Sequence, residues 1–140
     1  MLALEMDNSA VKNFMGKILR EGIFDAFEVR TVEISATTRI SIEAPTSTPW
    51  GELRPMIFEI MKLSAKPKHM KIVFSRPNAE EIHTNAAALF LNMVYENDGI
   101  TFTTASAQKE FALNKEIDLA WDEYVRSFMN NFKDFPVRDR

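Results

Sequence analysis

A chain of 140 residues, 46% hydrophobic and 26% charged, with only 4 Gly and 6 Pro, has the size and balance of one globular domain rather than a disordered or fibrous segment. The absence of cysteine excludes a disulfide framework, thiolate-held zinc or iron–sulfur centres and a cysteine nucleophile. A net charge of −3 argues against a global attraction to nucleic acid or anionic lipid.

"LALEM" near the start is short enough for an edge strand, and Asp7, Asn8 or Ser9 then offers a side-chain oxygen to cap a helix. Val11, Phe14, Met15, Ile18 and Leu19 fall on one helical stripe, which predicts a helix over residues 9–20 with Gly22 placed to stop it. In "FEVRTVEISATTRISIEA" the residues alternate in polarity, with a change of parity near Thr31. That pattern predicts two strands joined around "SATT", the first carrying a bulge.

Pro49 suits a helix start, whereas Pro55 would clash with the carbonyl of Gly51, so a break is expected there. The main helix is then expected from Pro55 to Leu63, burying Ile57, Ile60 and Met61. "MKIVFS", residues 70–75, reads as a strand between Pro67 and Pro77, and residues 76–88 as a loop with one helical turn, followed by a strand from Leu89.

"LFLNMVYENDGITFTT" is a hairpin. A two-residue turn at Asp98-Gly99 would pair Tyr95 with Phe102 and Met93 with Thr104, and would set Leu89, Leu91, Met93, Tyr95, Ile100 and Phe102 on one face. The acids at its tip then need no ligand to explain them.

Asn114 caps the last helix, whose stripe runs through Ile117, Ala120, Trp121, Tyr124, Val125, Phe128 and Phe132. Trp121→Ala should cost roughly 3–5 kcal/mol in a urea titration. "PVRDR" reads as a frayed tail, giving a single domain over residues 1–135 and a tail over 136–140. The predicted class is α+β: an antiparallel or mixed sheet of about five to seven strands with three amphipathic helices packed mainly on one face.

Read together, "WGELRPMIFEIMK", "MKIVFS", "LFLNMVYENDGITFTT" and "KEFALNKEIDLAWDEY", with a looser "FMGKIL", resemble an uncharacterised Firmicutes family carried as a domain of unknown function, over about residues 50–130. The resemblance implies an intracellular protein of a Gram-positive anaerobe and supplies no catalytic or binding residues.

Candidate sites are few. Lys62, Lys66, Lys68, Lys71 and Arg76 with His69 form a stretch without acids; Lys66, Lys68, Lys71 and Arg76 are the candidate anion or nucleic-acid contact. The same cations also serve to offset a helix dipole and to solubilise strand ends. Glu80 and His83 have the E-x-x-H spacing of carboxylate-bridged metal sites, but those use two such motifs plus two further carboxylates. Acids adjacent on a helix, as at Asp122 and Glu123, diverge by about 100° and do not face each other.

No glycine-rich phosphate loop, nucleophile elbow or dinucleotide fingerprint is present. No catalytic, metal or cofactor-binding residue is therefore assigned and no cofactor is expected. The expected function is a non-catalytic cytoplasmic binding or protein-interaction domain, since no apolar run reaches the roughly 18 residues of a membrane span and "MLALEMDNSA" lacks the pattern of an export signal. Its expected partner is another protein or a second copy of the chain. One alternative is a nucleic-acid-associated domain, the β-α-β-β order being loosely similar to half of a sliding-clamp module. Another is an enzyme without a recognised motif, centred on Glu80, Glu81 and His83.

Overall fold

A computed structural model describes residues 1–63 and 66–140. Its elements in chain order are β1 (Ala3–Met6), α1 (Asn8–Arg20), β2 (Glu28–Ser35), β3 (Arg39–Glu43), α2 (Trp50–Leu63), β4 (His69–Ser75), a single 3-10 turn (Ala79–Glu81), β5 (Ala86–Glu96), β6 (Gly99–Gln108), α3 (Glu116–Asn130) and β7 (Val137–Asp139). The strands form one sheet, every pairing antiparallel, in the order β3-β2-β4-β5-β6-β1-β7. The class is α+β, as the element pattern implies.

Alternation along the strands puts one sheet face under the helices. Phe14 of α1 meets Phe102 of β6 edge-on at 5.9 Å, and Trp50 of α2 meets Phe74 of β4 at 5.2 Å. The α3 stripe buries Ile117, Trp121, Val125 and Met129. At the centre is Phe24, from the connection between α1 and β2, fully buried with ring contacts to Phe14, Phe27, Phe74, Phe102, Phe128 and Phe132. The opposite sheet face carries Thr31, Glu33, Lys71, Asn92, Thr101 and Thr103, all half-exposed.

The local signals act where the sequence places them. The Asp7 carboxylate accepts from the Ser9 amide at 2.9 Å and caps α1. The parity change in β2 is a register shift between Val29 and Thr31, after which Val32 and Ile34 return to the core. Gly22 stops nothing by left-handed backbone, since no glycine here has positive φ. Instead, a Cβ at Gly22 would lie 2.8 Å from the Asp25 carboxylate.

Five expectations are corrected. Helix α2 is continuous from Trp50 and holds Pro55 inside it. Anchors just N-terminal to the proline keep it whole: Trp50 is fully buried and donates its indole N–H to the Ile18 carbonyl at 3.2 Å, and Arg54 clasps Asp25. Within α2 only Trp50 and Ile57 are fully buried, while Ile60 and Met61 are half-covered.

The hairpin turn lies one residue earlier than expected. Asn97 and Asp98 hold φ of 51° and 60°, the two central positions of a type I′ turn, and Gly99 enters the ladder opposite Glu96. Tyr95 therefore faces Ile100, and Met93 faces Phe102. A slip of two in register leaves every side chain on its predicted face, so the dry face is as expected. In this register the Asp98 carboxylate accepts from the Tyr95 hydroxyl at 3.2 Å and pairs with Lys66 at 2.7 Å.

Strand β5 starts at Ala86 rather than Leu89, with a register shift between Ala86 and Ala88. The last residues are not frayed: Val137–Asp139 pair with β1, Arg126 grips Asp139 at 2.7 Å, and Arg138 binds Glu5 across the pair.

Candidate functional site

The basic stretch does not gather into one surface. Lys66 and Lys68 precede β4 and Arg76 follows it, so they stand on the order of 20 Å apart along the strand. Lys66 is exposed and paired with Asp98, which holds its ammonium above the ordinary lysine value. Lys68 is exposed, and Lys71 sits on the open sheet face opposite Glu33. Arg76 is a fastener: it donates to the carbonyls of Pro77 and Asn78 at 2.9 Å each, pairs with Glu81 at 3.5 Å and lies 5.0 Å over the Tyr124 ring.

Glu80 and His83 do not converge either. Glu80 pairs with Lys109 at 3.3 Å. The His83 ring accepts the Asn85 backbone N–H on Nδ1 at 3.1 Å and meets the Glu116 carboxylate through Nε2 at 3.1 Å. Because Nδ1 accepts, Nε2 is the nitrogen that donates to Glu116. Among the described residues no three His, Cys, Asp or Glu side chains are grouped to hold a metal ion.

These contacts share a direction. From the segment before β5, Glu80 and Asn85 reach the connection between β6 and α3, and His83 reaches the first residue of α3. Asn85 takes both edges of residue 110: its Oδ1 accepts the Glu110 N–H at 3.0 Å and its Nδ2 donates to the Glu110 carbonyl at 2.9 Å. The Asn85 carbonyl accepts the Lys109 N–H at 2.9 Å. Gln108 repeats the device on residue 112, accepting its N–H at 3.0 Å and donating to its carbonyl at 3.1 Å. Asn114 then accepts the Glu116 N–H at 3.2 Å from one residue outside the expected cap position: the N-cap of α3 is Lys115, whose side chain makes no capping bond.

What this scaffold holds out is apolar. Phe111 is 84% exposed, Leu113 88% and, one turn into α3, Leu119 67%. Behind the loop, α3 is tied to β6 by two hydroxyl–carboxylate bonds of 2.5 Å, Thr104 to Asp122 and Ser106 to Asp118. They flank a polar groove of about 400 Å³ lined by Gln108, Asn114 and Asp118. Glu123, beside Asp122, points into solvent. A second groove of about 460 Å³ lies between α1 and the end of α2, with Val11, Met15, Met61 and Tyr95 as apolar walls and Lys12 and Lys66 beside them.

The sequence reading does not single out Phe111, Leu113 or Leu119. Their signal is nonetheless present: two large apolar residues inside the polar connection "KEFALNKE", and a leucine off the buried stripe of the following helix.

Fold and site together define a helix-backed antiparallel sheet domain whose most worked-out surface is a braced apolar loop. The chain belongs to a family of unknown function, DUF5721, whose model matches residues 42–134 and so covers β4 to α3 and the braced loop. No curated protein and no solved structure matches it. No helix among the described residues is long and apolar enough to cross a membrane.

Proposed function

We propose that the chain is a non-catalytic interaction domain of a Firmicutes cytoplasm that meets another protein surface through the loop between β6 and α3. One observation carries this: Phe111 and Leu113 stand in water on a backbone fixed by four hydrogen bonds from two side-chain amides. Solvent-exposed loops are usually left loose, because ordering a backbone costs about 1–2 kcal/mol per residue. Here the backbone N–H and carbonyl of residues 110 and 112 are already bonded within the chain, which lowers the cost of binding. The polar side chains that resemble an active site, Glu80 and His83, are spent on the bracing, through Lys109 and Glu116.

Native mass spectrometry of the chain taken from its own cells without chelator tests the reading. The expected result is an apo-mass chain in complexes with protein that vanish on combined Phe111→Ser and Leu113→Ser substitution. A metal or small molecule retained at one per chain would overturn it in favour of an enzyme or ligand carrier.

A further inference from the structure

We infer that the loop from Lys109 to Glu116 is self-complementary and that two copies of the chain pair through it about a two-fold axis, a choice of partner that rests on the interaction reading above. The charges of "KEFALNKE" are antisymmetric about the bond between Ala112 and Leu113. When two copies of the segment run antiparallel, Lys109 faces Glu116 of the other copy and Glu110 faces its Lys115. Each pair occurs twice, and every charge meets its opposite. In the same register Phe111 of each copy faces Asn114 of the other and Ala112 faces Leu113, so Phe111 of one copy lies one residue along from Leu113 of its partner.

A two-fold interface presents the same patch from both sides, so self-complementarity of this kind is what its symmetry requires. Glu110 and Lys115 are exposed and make no ion pair within the chain among the described residues, which leaves them available across the axis. Lys109 and Glu116 are already oriented by Glu80 and His83 at 3.3 and 3.1 Å.

The area sets the strength. Phe111, Leu113 and Leu119 are 84%, 88% and 67% exposed. With roughly 150–250 Å² for a whole aromatic side chain, the three contribute a few hundred Å² per copy, against about 800 Å² per partner in a standard interface. The patch is well below that standard size, which makes the dimer weak and reversible, so association is sought at protein concentrations of about 100 µM and above.

Sedimentation velocity over a concentration series tests this on the full chain. Wild type should shift from monomer to dimer across that range, and Phe111→Ser with Leu113→Ser should weaken association at least about tenfold, with an unchanged thermal midpoint because both residues are exposed. The deciding arm uses charge. Glu110→Lys alone sets Lys against Lys and Lys115→Glu alone sets Glu against Glu, so each variant should self-associate several-fold more weakly than wild type. A one-to-one mixture of the two restores both opposite pairs and should associate as wild type does, an outcome that misfolded variants cannot produce. A wild type that stays monomeric well above 100 µM, or dimers indifferent to the charge variants and their mixture, would overturn the pairing. Neither result bears on binding of a different protein by the same loop, which the mass-spectrometric experiment reads separately.

Discussion

Asp25 and Arg54 meet as a bidentate pair, Nε to Oδ1 at 2.9 Å and Nη2 to Oδ2 at 3.1 Å, between the connection after α1 and the first half of α2. The carboxylate is wedged between two glycines: a Cβ on Gly22 would lie 2.8 Å from Asp25 Oδ2, and one on Gly51 would lie 3.0 Å from it. Arg54 also donates to the Leu19 carbonyl at 3.4 Å, so one side chain ties the end of α1 to α2 next to the proline.

Gly51→Ala therefore sets two effects against each other. Alanine inside a helix is favoured over glycine by roughly 0.5–1 kcal/mol. The pinned carboxylate cannot retreat without stretching its bonds to Arg54, so the clash should win and urea unfolding should show a net loss of about 1 kcal/mol. In an Asp25→Ala background the same substitution should become stabilising. A Gly51→Ala effect with the same sign in both backgrounds would refute the wedge.

His83 is a brace in this structure, and its replacements should behave accordingly. His83→Ala removes the acceptor for the Asn85 N–H and should cost about 1 kcal/mol in a urea titration. Asn at this position can place a side-chain oxygen close to where Nδ1 sits and re-form the bond to the amide two residues on, as in an Asx turn. His83→Asn should recover more than half of the loss. Equal losses for the two variants would show that the Asn85 contact contributes nothing.

The Asp98 carboxyl is held below the ordinary aspartate value by its hydrogen bonds to Lys66 and Tyr95, the lysine having the larger effect. A lowered folded pKa means that the ionised form favours the fold. That contribution is complete above the unfolded value near pH 4 and is lost as the pH falls through the lower folded one. Asp98→Asn keeps a residue that tolerates the left-handed turn conformation at φ 60° and removes the titration. The drop in urea midpoint between pH 7 and pH 3 should be smaller for Asp98→Asn than for wild type. An equal drop would mean the contact is not held in solution.

What the sequence discloses follows physical range. Stripes and alternation are local, so α1, α3 and the faces of β2, β5 and β6 are readable from residues a few positions apart. Trp121 announces itself by its place on a helix, whereas Phe24 is the hub of six ring contacts from a connection with no period to flag it. Pro55 reads as a break because the clasp that overrides it comes from Asp25, 29 residues away. The hairpin turn sits at Asn97-Asp98 rather than Asp98-Gly99, two neighbouring turn signals between which alternation does not choose because both keep the same faces. At the candidate site, Glu80 and His83 are legible as unusual residues. Their partners Lys109 and Glu116 lie beyond a whole hairpin, so the bracing role is not.

The bracing itself can be tested without touching an apolar atom. Asn85→Ala removes two side-chain hydrogen bonds to the Glu110 backbone, and Gln108→Ala removes two to Ala112, while Phe111 and Leu113 keep their side chains. Local opening rises roughly tenfold for each 1.4 kcal/mol of lost hydrogen bonding. Hydrogen exchange of the amides at 110 and 112 should therefore accelerate by about an order of magnitude in the matching variant, with the core of β4 and β5 unaffected. If rigid display matters, both substitutions should also weaken the association made by the loop, because a looser backbone must be ordered again on binding. Faster exchange with unchanged association would leave the apolar side chains as the binding element and remove any role for their rigidity.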